Sequence, residues 1–247
     1  MTNNEFNKIT VAILAGGYGT RLSEETNLRP KPMVKIGSQP ILWHIIKHYE
    51  YYGFKNFIIC LGYKGQYIKN YFKKNFNLFP NLKIKLVKTG LDSLTAKRIL
   101  KIKNYLTDPF LLTYGDAVSN INLNSLFKFH IRKKSIFTIS GVIPTSRYGS
   151  IKYTKKGRIK KFTEKKDFQN FFVNGGYFVV NKKSLKYFSK NKNQMLENEP
   201  IKKIVKTKKM FVYRHFKFWQ CMDTLRDKKK LSQMWESNPP WKIWNDL

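Results

Sequence analysis

Acidic residues are scarce in this chain: 15 aspartates and glutamates stand against 48 lysines and arginines in 247 residues, a formal net charge of +33. Any chemistry that needs carboxylates must fall to a very few of them. Cysteine is scarcer still. Cys60 and Cys221 lie far apart with no second thiol nearby in sequence, which excludes a CxxC zinc or redox motif and predicts buried, reduced thiols. No apolar run reaches the length of a membrane span, and the opening MTNNEFNK lacks an apolar signal segment, so the expectation is a soluble, cytoplasmic protein. Internal repeats, linkers and low-complexity blocks are also absent. Hydrophobic residues nevertheless make up 42%, enough for a substantial core and too many for a disordered basic tail.

The charge invites a nucleic-acid reading. It is spread from end to end without a stripe, however, and 40 of the 48 basic residues are lysine. A solvated lysine surface accounts for that pattern. Its corollary is that anionic substrates are steered inward in a salt-sensitive way. Neither nucleic acid nor membrane is therefore an expected partner.

Strand-like apolar runs alternate with helix-period segments. TVAILA is followed by a predicted helix over 39–52, with Ile41, Leu42, Ile45, Ile46 and Tyr49 on one face, and then by NFIICLG. A second round gives a helix near 67–76, the strand LKIKLVKT, a helix over 95–105 and the strand PFLLTYG. That βαβ alternation predicts an α/β fold with a mixed, mainly parallel central sheet covered on both faces. After Ser135 the texture shifts to IFTISGVIP, GSIKYT, GRIKKFTE and VNGGYFVVN, followed by short helices. The expectation is a single domain with one continuous sheet. A nucleotide-binding half occupies about 1–134, and a more antiparallel half about 135–247.

The segment ILAGGYGTRL, residues 13–22, carries three glycines within four positions, Gly16, Gly17 and Gly19. A dinucleotide fold would need GxGxxG, an immediate helix and an acid closing the second strand, yet that strand closes ICLGYKG. A P-loop would need GK followed by Ser or Thr, and none occurs. Instead the glycines run into Arg21 and then into ETNLRPKPMVKIG, where two prolines forbid a helix before about Gln39. The prediction is a long open loop carrying Arg21, Arg29 and Lys31 over the end of the first strand. Glycine lets backbone approach a phosphate, and the cations neutralise it.

These segments resemble the signature of the sugar-1-phosphate nucleotidyltransferases, GGxGTRL followed by a PKPM lysine. The longer stretches LAGGYGTRLSEETNLRPKPMV and QPILWHIIKHYEYYGFKNFIICLGYKG resemble the glucose-1-phosphate cytidylyltransferase branch, as do LLTYGDAVSN, FTEK, VNGGYFVV, ENEPI, FWQCMDTLRDKK and PPWKIW. The resemblance implies the Rossmann-like three-layer, GT-A-like fold of that family. It also implies attack by a sugar 1-phosphate oxygen on the α-phosphorus of CTP with Mg²⁺ as cofactor, a homo-oligomer, and a product destined for surface polysaccharide such as lipopolysaccharide O-antigen. Such chemistry asks for positioning and charge neutralisation more than for acid–base groups.

Carried over residue by residue, the resemblance gives the metal to Asp116 in YGD and Asp223 in MDT. Both follow apolar runs, and hard oxygen ligands suit Mg²⁺. Asp223 also fits as an N-cap of the helix-period segment TLRDKKKLSQMW, and Asp116 as a turn aspartate. Arg21 and Lys31 receive the catalytic role of stabilising charge on the transferred group. Leu14, Ala15, Gly16, Gly17, Gly19, Thr20, Arg98 and Gly115 join them around the nucleotide. Gly149, Glu164, Lys165, Asn174 and Gly175 receive the sugar phosphate.

Four departures from the family pattern leave the acceptor open. SLTAKR at 93–98 replaces TxTGGR, YGDA replaces YGDG, EKK replaces EKP, and Ser150 stands where a glutamate is usual. Another sugar phosphate, another nucleoside triphosphate or a silent regulatory role stays compatible with them. His44 and His48 have metal-compatible spacing but no glutamate of an HExxH motif between them. They read as structural, as do His130, His215 and the apolar-flanked Trp43, Trp219 and Trp235.

Overall fold

A computed structural model describes residues 3–144, 149–163 and 171–245. Seven strands form one sheet: β1 (Thr10–Ala15), β2 (Asn56–Leu61), β3 (Lys83–Lys88), β4 (Phe110–Tyr114), β5 (Phe137–Val142), β6 (Val173–Val180) and β7 (Met210–His215). Their order is β7-β5-β6-β4-β1-β2-β3. Only β6 runs against the others in this sheet, pairing antiparallel with both β4 and β5. The more antiparallel texture after Ser135 thus comes down to one reversed strand, a separate hairpin, Ser150–Tyr153 with Ile159–Thr163, and the short strand Trp219–Cys221, which pairs antiparallel with Ala117–Ser119. β7 is an edge strand missed by the sequence pattern, because MFVYRH alternates only weakly and is half-exposed along most of its length.

Alternation within the central strands explains the three layers. Val11, Ile13, Ala15, Phe57, Ile59 and Leu61 enter one core with the helices α1 (Ile41–Tyr51) and α2 (Gly65–Lys74). Ala12, Leu14, Ile58 and Cys60 enter the other with α3 (Thr95–Lys101) and α5 (Glu199–Val205), which follows α4 (Leu123–Arg132) in the chain. A strand buried on both faces must be nearly continuous in apolar residues, as VAILA is after Thr10. The last helix, α6 (Leu225–Glu236), packs on the first core, with Trp241 and Trp244 buried beside it. Among the described residues, no helix is long and apolar enough to cross a membrane.

The α1 helix buries the five apolar residues expected of it, together with His44 and His48. His48 Nε2 donates to the Ile121 carbonyl at 2.9 Å. His44 Nε2 donates to that of Ile36 at 3.0 Å, while the Trp241 indole donates to His44 Nδ1 at 3.4 Å. Both rings are neutral, and burial pulls each down to about 4. An unfolded histidine titrates near 6.5. The unfolded chain therefore takes up protons first on acidification, so this stability is complete above about pH 6.5 and lost as pH falls toward 4. Thermal midpoints are expected to fall across that window. His48→Gln, which keeps a donor for Ile121 but cannot titrate, should flatten the fall; an unchanged slope would contradict the assignment.

Candidate active site

The sheet changes winding direction between β1 and β4: from β1 the chain proceeds outward to β2 and β3, then returns to place β4 on the other side. Open α/β sheets hold ligands outside the carboxyl ends of strands at such a point. Here the glycine loop leaves β1, and Gly115 and Asp116 leave β4, with the Gly115 amide bonded to the Leu14 carbonyl at 3.2 Å. A cavity of about 430 Å³ opens there. It is lined by 14–21, Lys31, Pro32, Leu91 through Thr95, Arg98, Tyr114 through Asp116, Met195 and Glu197. Every residue assigned to the nucleotide from sequence lies on its wall.

The segment expected to be an open loop is in fact three short helical turns, Thr20–Leu22, Ser23–Thr26 and Lys31–Met33. Proline does not prevent the last of these, because Pro32 occupies a first-turn position whose N–H would have no helical partner anyway. Gly19 adopts a left-handed conformation, φ 69°, at the start of the first turn. A Cβ there would lie 3.0 Å from Lys31 Cβ and 2.9 Å from Thr26 Cγ2, so glycine is what lets the lysine stem pass beneath the loop.

Lys31 is 8% exposed, and its ammonium donates to Asp116 Oδ2 at 2.8 Å and to Asp223 Oδ1 at 2.7 Å. Arg21, largely exposed, donates to Asp223 Oδ2 at 2.7 Å. A two-stranded ladder brings the aspartates together. Ala117–Ser119 pairs antiparallel with Trp219–Cys221, and the Met222 amide donates to the Asp116 carbonyl at 2.9 Å. Asp223 does not cap α6. Thr224 does so, in a reciprocal capping box with Asp227, which leaves the Asp223 carboxylate to the two cations.

Burial pushes the Asp223 carboxyl up, but the Lys31 hydrogen bond and charge, with Arg21, outweigh it and hold the group below its ordinary range. Burial likewise opposes charge on Lys31, yet Asp116 and the hydrogen bonds to both aspartates keep its ammonium protonated. Cys221 departs from the expectation of a buried thiol: it is half-buried. One ligand atom from each of Asp116, Cys221 and Asp223 lies within 4.8 Å of the others. Burial and the neighbouring Asp116 push the thiol up, so carboxylate oxygens are the ionised donors. Two carboxylates already bridged by an ammonium form a donor set that fits a hard divalent cation.

Among the sugar-side residues, Asn174 and Gly175 open β6 at an irregularity in its pairing with β5. The Asn174 side chain accepts the Gly176 amide at 2.8 Å, and the Gly175 carbonyl accepts the Trp219 indole at 2.8 Å. Gly176, φ 76°, has the Tyr114 ring where a Cβ would be. This stretch therefore abuts the cavity through Tyr114. Gly149 is half-buried just before the hairpin. Glu164 and Lys165 lie outside the described residues, as does Lys166 of the EKK departure. Sequence reading missed Tyr114 and Glu197, whose hydroxyl and carboxylate hydrogen-bond inside the cavity, with Thr95 Oγ1 3.4 Å from the same carboxylate. The available signal was an acid in ENEPI in a chain with few acids. Arg98, expected at the nucleotide, directs its guanidinium to backbone carbonyls.

The model of the family described as nucleotidyl transferase matches residues 10–247. The chain belongs to the nucleotidyl transferase family. Its relatives include the probable glucose-1-phosphate cytidylyltransferase of Bacillus subtilis (strain 168), 42% identical in an alignment that covers 94% of this chain and 98% of the relative. The glucose-1-phosphate cytidylyltransferase of Salmonella typhimurium is 39% identical, again over 94% of this chain and 98% of the relative. Among solved structures, HddC from Yersinia pseudotuberculosis superposes with a TM-score of 0.72 at 25% identity, over 92% of this chain and 99% of that one. A putative glucose-1-phosphate thymidylyltransferase from Bacillus anthracis shares the fold at TM-score 0.75 and 13% identity, over 97% and 98%. This nucleotidyltransferase thus has the α/β, Rossmann-like fold of its family, with a mixed, mostly parallel sheet.

Proposed function

We propose that this nucleotidyltransferase couples CTP to α-D-glucose 1-phosphate, giving CDP-glucose and pyrophosphate, with the whole chain acting as one catalytic unit. The observation that carries the reading is the Lys31 ammonium held between Asp116 and Asp223 at the mouth of a glycine-lined cavity. The cytidylyltransferases that match 94% of the chain at 42% and 39% identity support the choice of substrates.

In this mechanism backbone amides of Gly16, Gly17 and Gly19, with Thr20, hold the nucleotide, while Leu14, Ala15 and Gly115 form the floor beneath it. Arg21 and Lys31 turn from the aspartates to the triphosphate and offset charge on the α-phosphoryl group as it is transferred. Gly149, Glu164, Lys165, Asn174 and Gly175 hold the sugar phosphate. Its phosphate oxygen is already anionic, so no general base is required. The oxygen forms a bond to the α-phosphorus, the α–β bridging bond breaks, and pyrophosphate leaves with that electron pair. Asp116 and Asp223 would hold Mg²⁺, which supplies further neutralisation of phosphate charge.

Ser93 through Thr95 and Arg98 of the departing SLTAKR segment line the same cavity as the glycine loop, so substrate choice is the sharpest place to test the reading. Pyrophosphate release should be measured with four nucleoside triphosphates against a panel of sugar 1-phosphates. CTP with glucose 1-phosphate is expected to exceed every other pair in kcat/KM by at least about tenfold, the net scale of one ordinary hydrogen bond. Preference for another pair would overturn the substrate assignment, and no release from any pair would overturn the enzyme reading.

A further inference from the structure

The three loops that follow β1, β2 and β3 meet at one side chain. Arg98, on α3, is 4% exposed. Its Nη2 donates to the carbonyls of Gly16 at 2.8 Å and Leu91 at 3.1 Å. Its Nη1 donates to the carbonyls of Leu61 at 3.3 Å and Gly90 at 2.8 Å, and to the Thr89 hydroxyl at 2.7 Å. A planar guanidinium has the fixed fork of donors that so many converging carbonyls require, and an ammonium has not. Glycine is needed around it, since a Cβ at Gly16 or Gly62 would overlap the guanidinium.

The consequence for the loop follows from peptide geometry. The Gly16 carbonyl is fixed by Arg98 and also accepts the Tyr63 amide at 3.1 Å. In a planar trans peptide the next N–H points opposite to that carbonyl. The Gly17 amide is thereby aimed away from Arg98, and a Cβ built on Gly17 would itself meet nothing within 4 Å, so the loop is open at this residue. Both terminal nitrogens of Arg98 are already engaged by protein acceptors.

We propose that Arg98 is a positioning residue: it grips the Gly16 carbonyl from behind the loop so that the Gly17 amide meets the nucleotide, and it does not itself pair with phosphate. The proposal rests on the nucleotide-binding reading of this cavity. Its test is calorimetric titration of CTP across a salt series into wild-type, Arg98→Lys and Thr89→Val proteins, with steady-state kinetics for both substrates. Arg98→Lys keeps the charge but loses the fork. It is expected to weaken CTP at least about tenfold, to leave the slope of log affinity against log salt unchanged, and to leave the KM for glucose 1-phosphate within about twofold. Thr89→Val removes one buried acceptor and is expected to weaken CTP about threefold in the same pattern. A shallower salt slope in a companion Arg98→Gln protein, which removes the charge, would make Arg98 a direct phosphate ligand and overturn the proposal. Wild-type CTP affinity in Arg98→Lys, or in Thr89→Val should Arg98→Lys fail to fold, would overturn it too. A wild-type protein that binds no nucleoside triphosphate would overturn the underlying reading along with it.

Discussion

Replacing Lys31 by methionine is expected to lower turnover by about 10²- to 10³-fold, the usual cost of removing one preorganised charge from a transferring group. The same change is expected to raise the affinity for a divalent cation in the absence of nucleotide. These opposite outcomes come from one geometry. The ammonium lies 2.8 Å from Asp116 and 2.7 Å from Asp223, and its side chain is only 9% exposed, so on the proposed assignment it fills the space the metal would take. Triphosphate would draw it away and free the carboxylates, which makes nucleotide and metal each promote binding of the other. Coupling of this kind is typically worth 1–3 kcal/mol, or roughly five- to 150-fold. Mn²⁺ titrations followed by electron paramagnetic resonance should show CTP tightening Mn²⁺ binding in the wild type. In Lys31→Met, binding without CTP should be about tenfold tighter and the effect of CTP much reduced. Equal Mn²⁺ affinity in the two proteins would contradict the competition. The variant should also make Mn²⁺ binding more sensitive to acid. Burial alone raises the Asp223 carboxyl, and Lys31 supplies most of what holds it down.

Asp116→Asn and Asp223→Asn are each expected to cost about 10³-fold in kcat at saturating metal, since loss of a ligand removes several kcal/mol of charge stabilisation. The double variant should fall little further than either single one, because the two proposed ligands of one ion would act as a unit. Folding should be largely spared in Asp223→Asn, as α6 is capped by Thr224 and Asp227. Thr224→Ala supplies the contrast. It should lose about 1 kcal/mol of stability, a typical N-cap effect, while keeping much of the turnover. Kinetics and thermal melts of the variants decide the matter: an Asp223→Asn protein that melts early but turns over normally would make this residue a structural one.

Much of the architecture was legible because burial on both faces forces continuous apolar runs, as in TVAILA and NFIICL, and a half-buried helix must repeat its apolar face, as α1 does. Edge strand β7 escaped because only one end of it is buried, which leaves Lys, Tyr and Arg among its residues and neighbours. The proline-bracketed segment showed where a cation belongs. It did not show that Lys31 sits on a helical turn, because proline at a first-turn position starts such a turn as readily as it ends one.

At the site, the family resemblance named the two aspartates but could not reveal what separates them. That Lys31 fills the gap depends on the pairing of Ala117–Ser119 with Trp219–Cys221, a long-range contact no local pattern records. Cys221 reaches the carboxylates through the same ladder. Tyr114 and Glu197 meet across the cavity for a similar reason, coming from the end of β4 and the approach to α5. Arg98 was legible as a cation belonging with the glycine loop, whose cavity it lines, and illegible as a clamp on backbone, since its acceptors are mostly carbonyls, which every residue carries.

The most direct test of the transfer chemistry is to incubate the protein with Mg²⁺, glucose 1-phosphate and CTP labelled with ³²P at either the α or the γ position, then to separate the products. The α label should appear in the sugar nucleotide and the γ label in pyrophosphate, with neither transfer supported by Asp116→Asn. Label from the γ position on the sugar, or released as orthophosphate, would contradict in-line attack at the α-phosphorus.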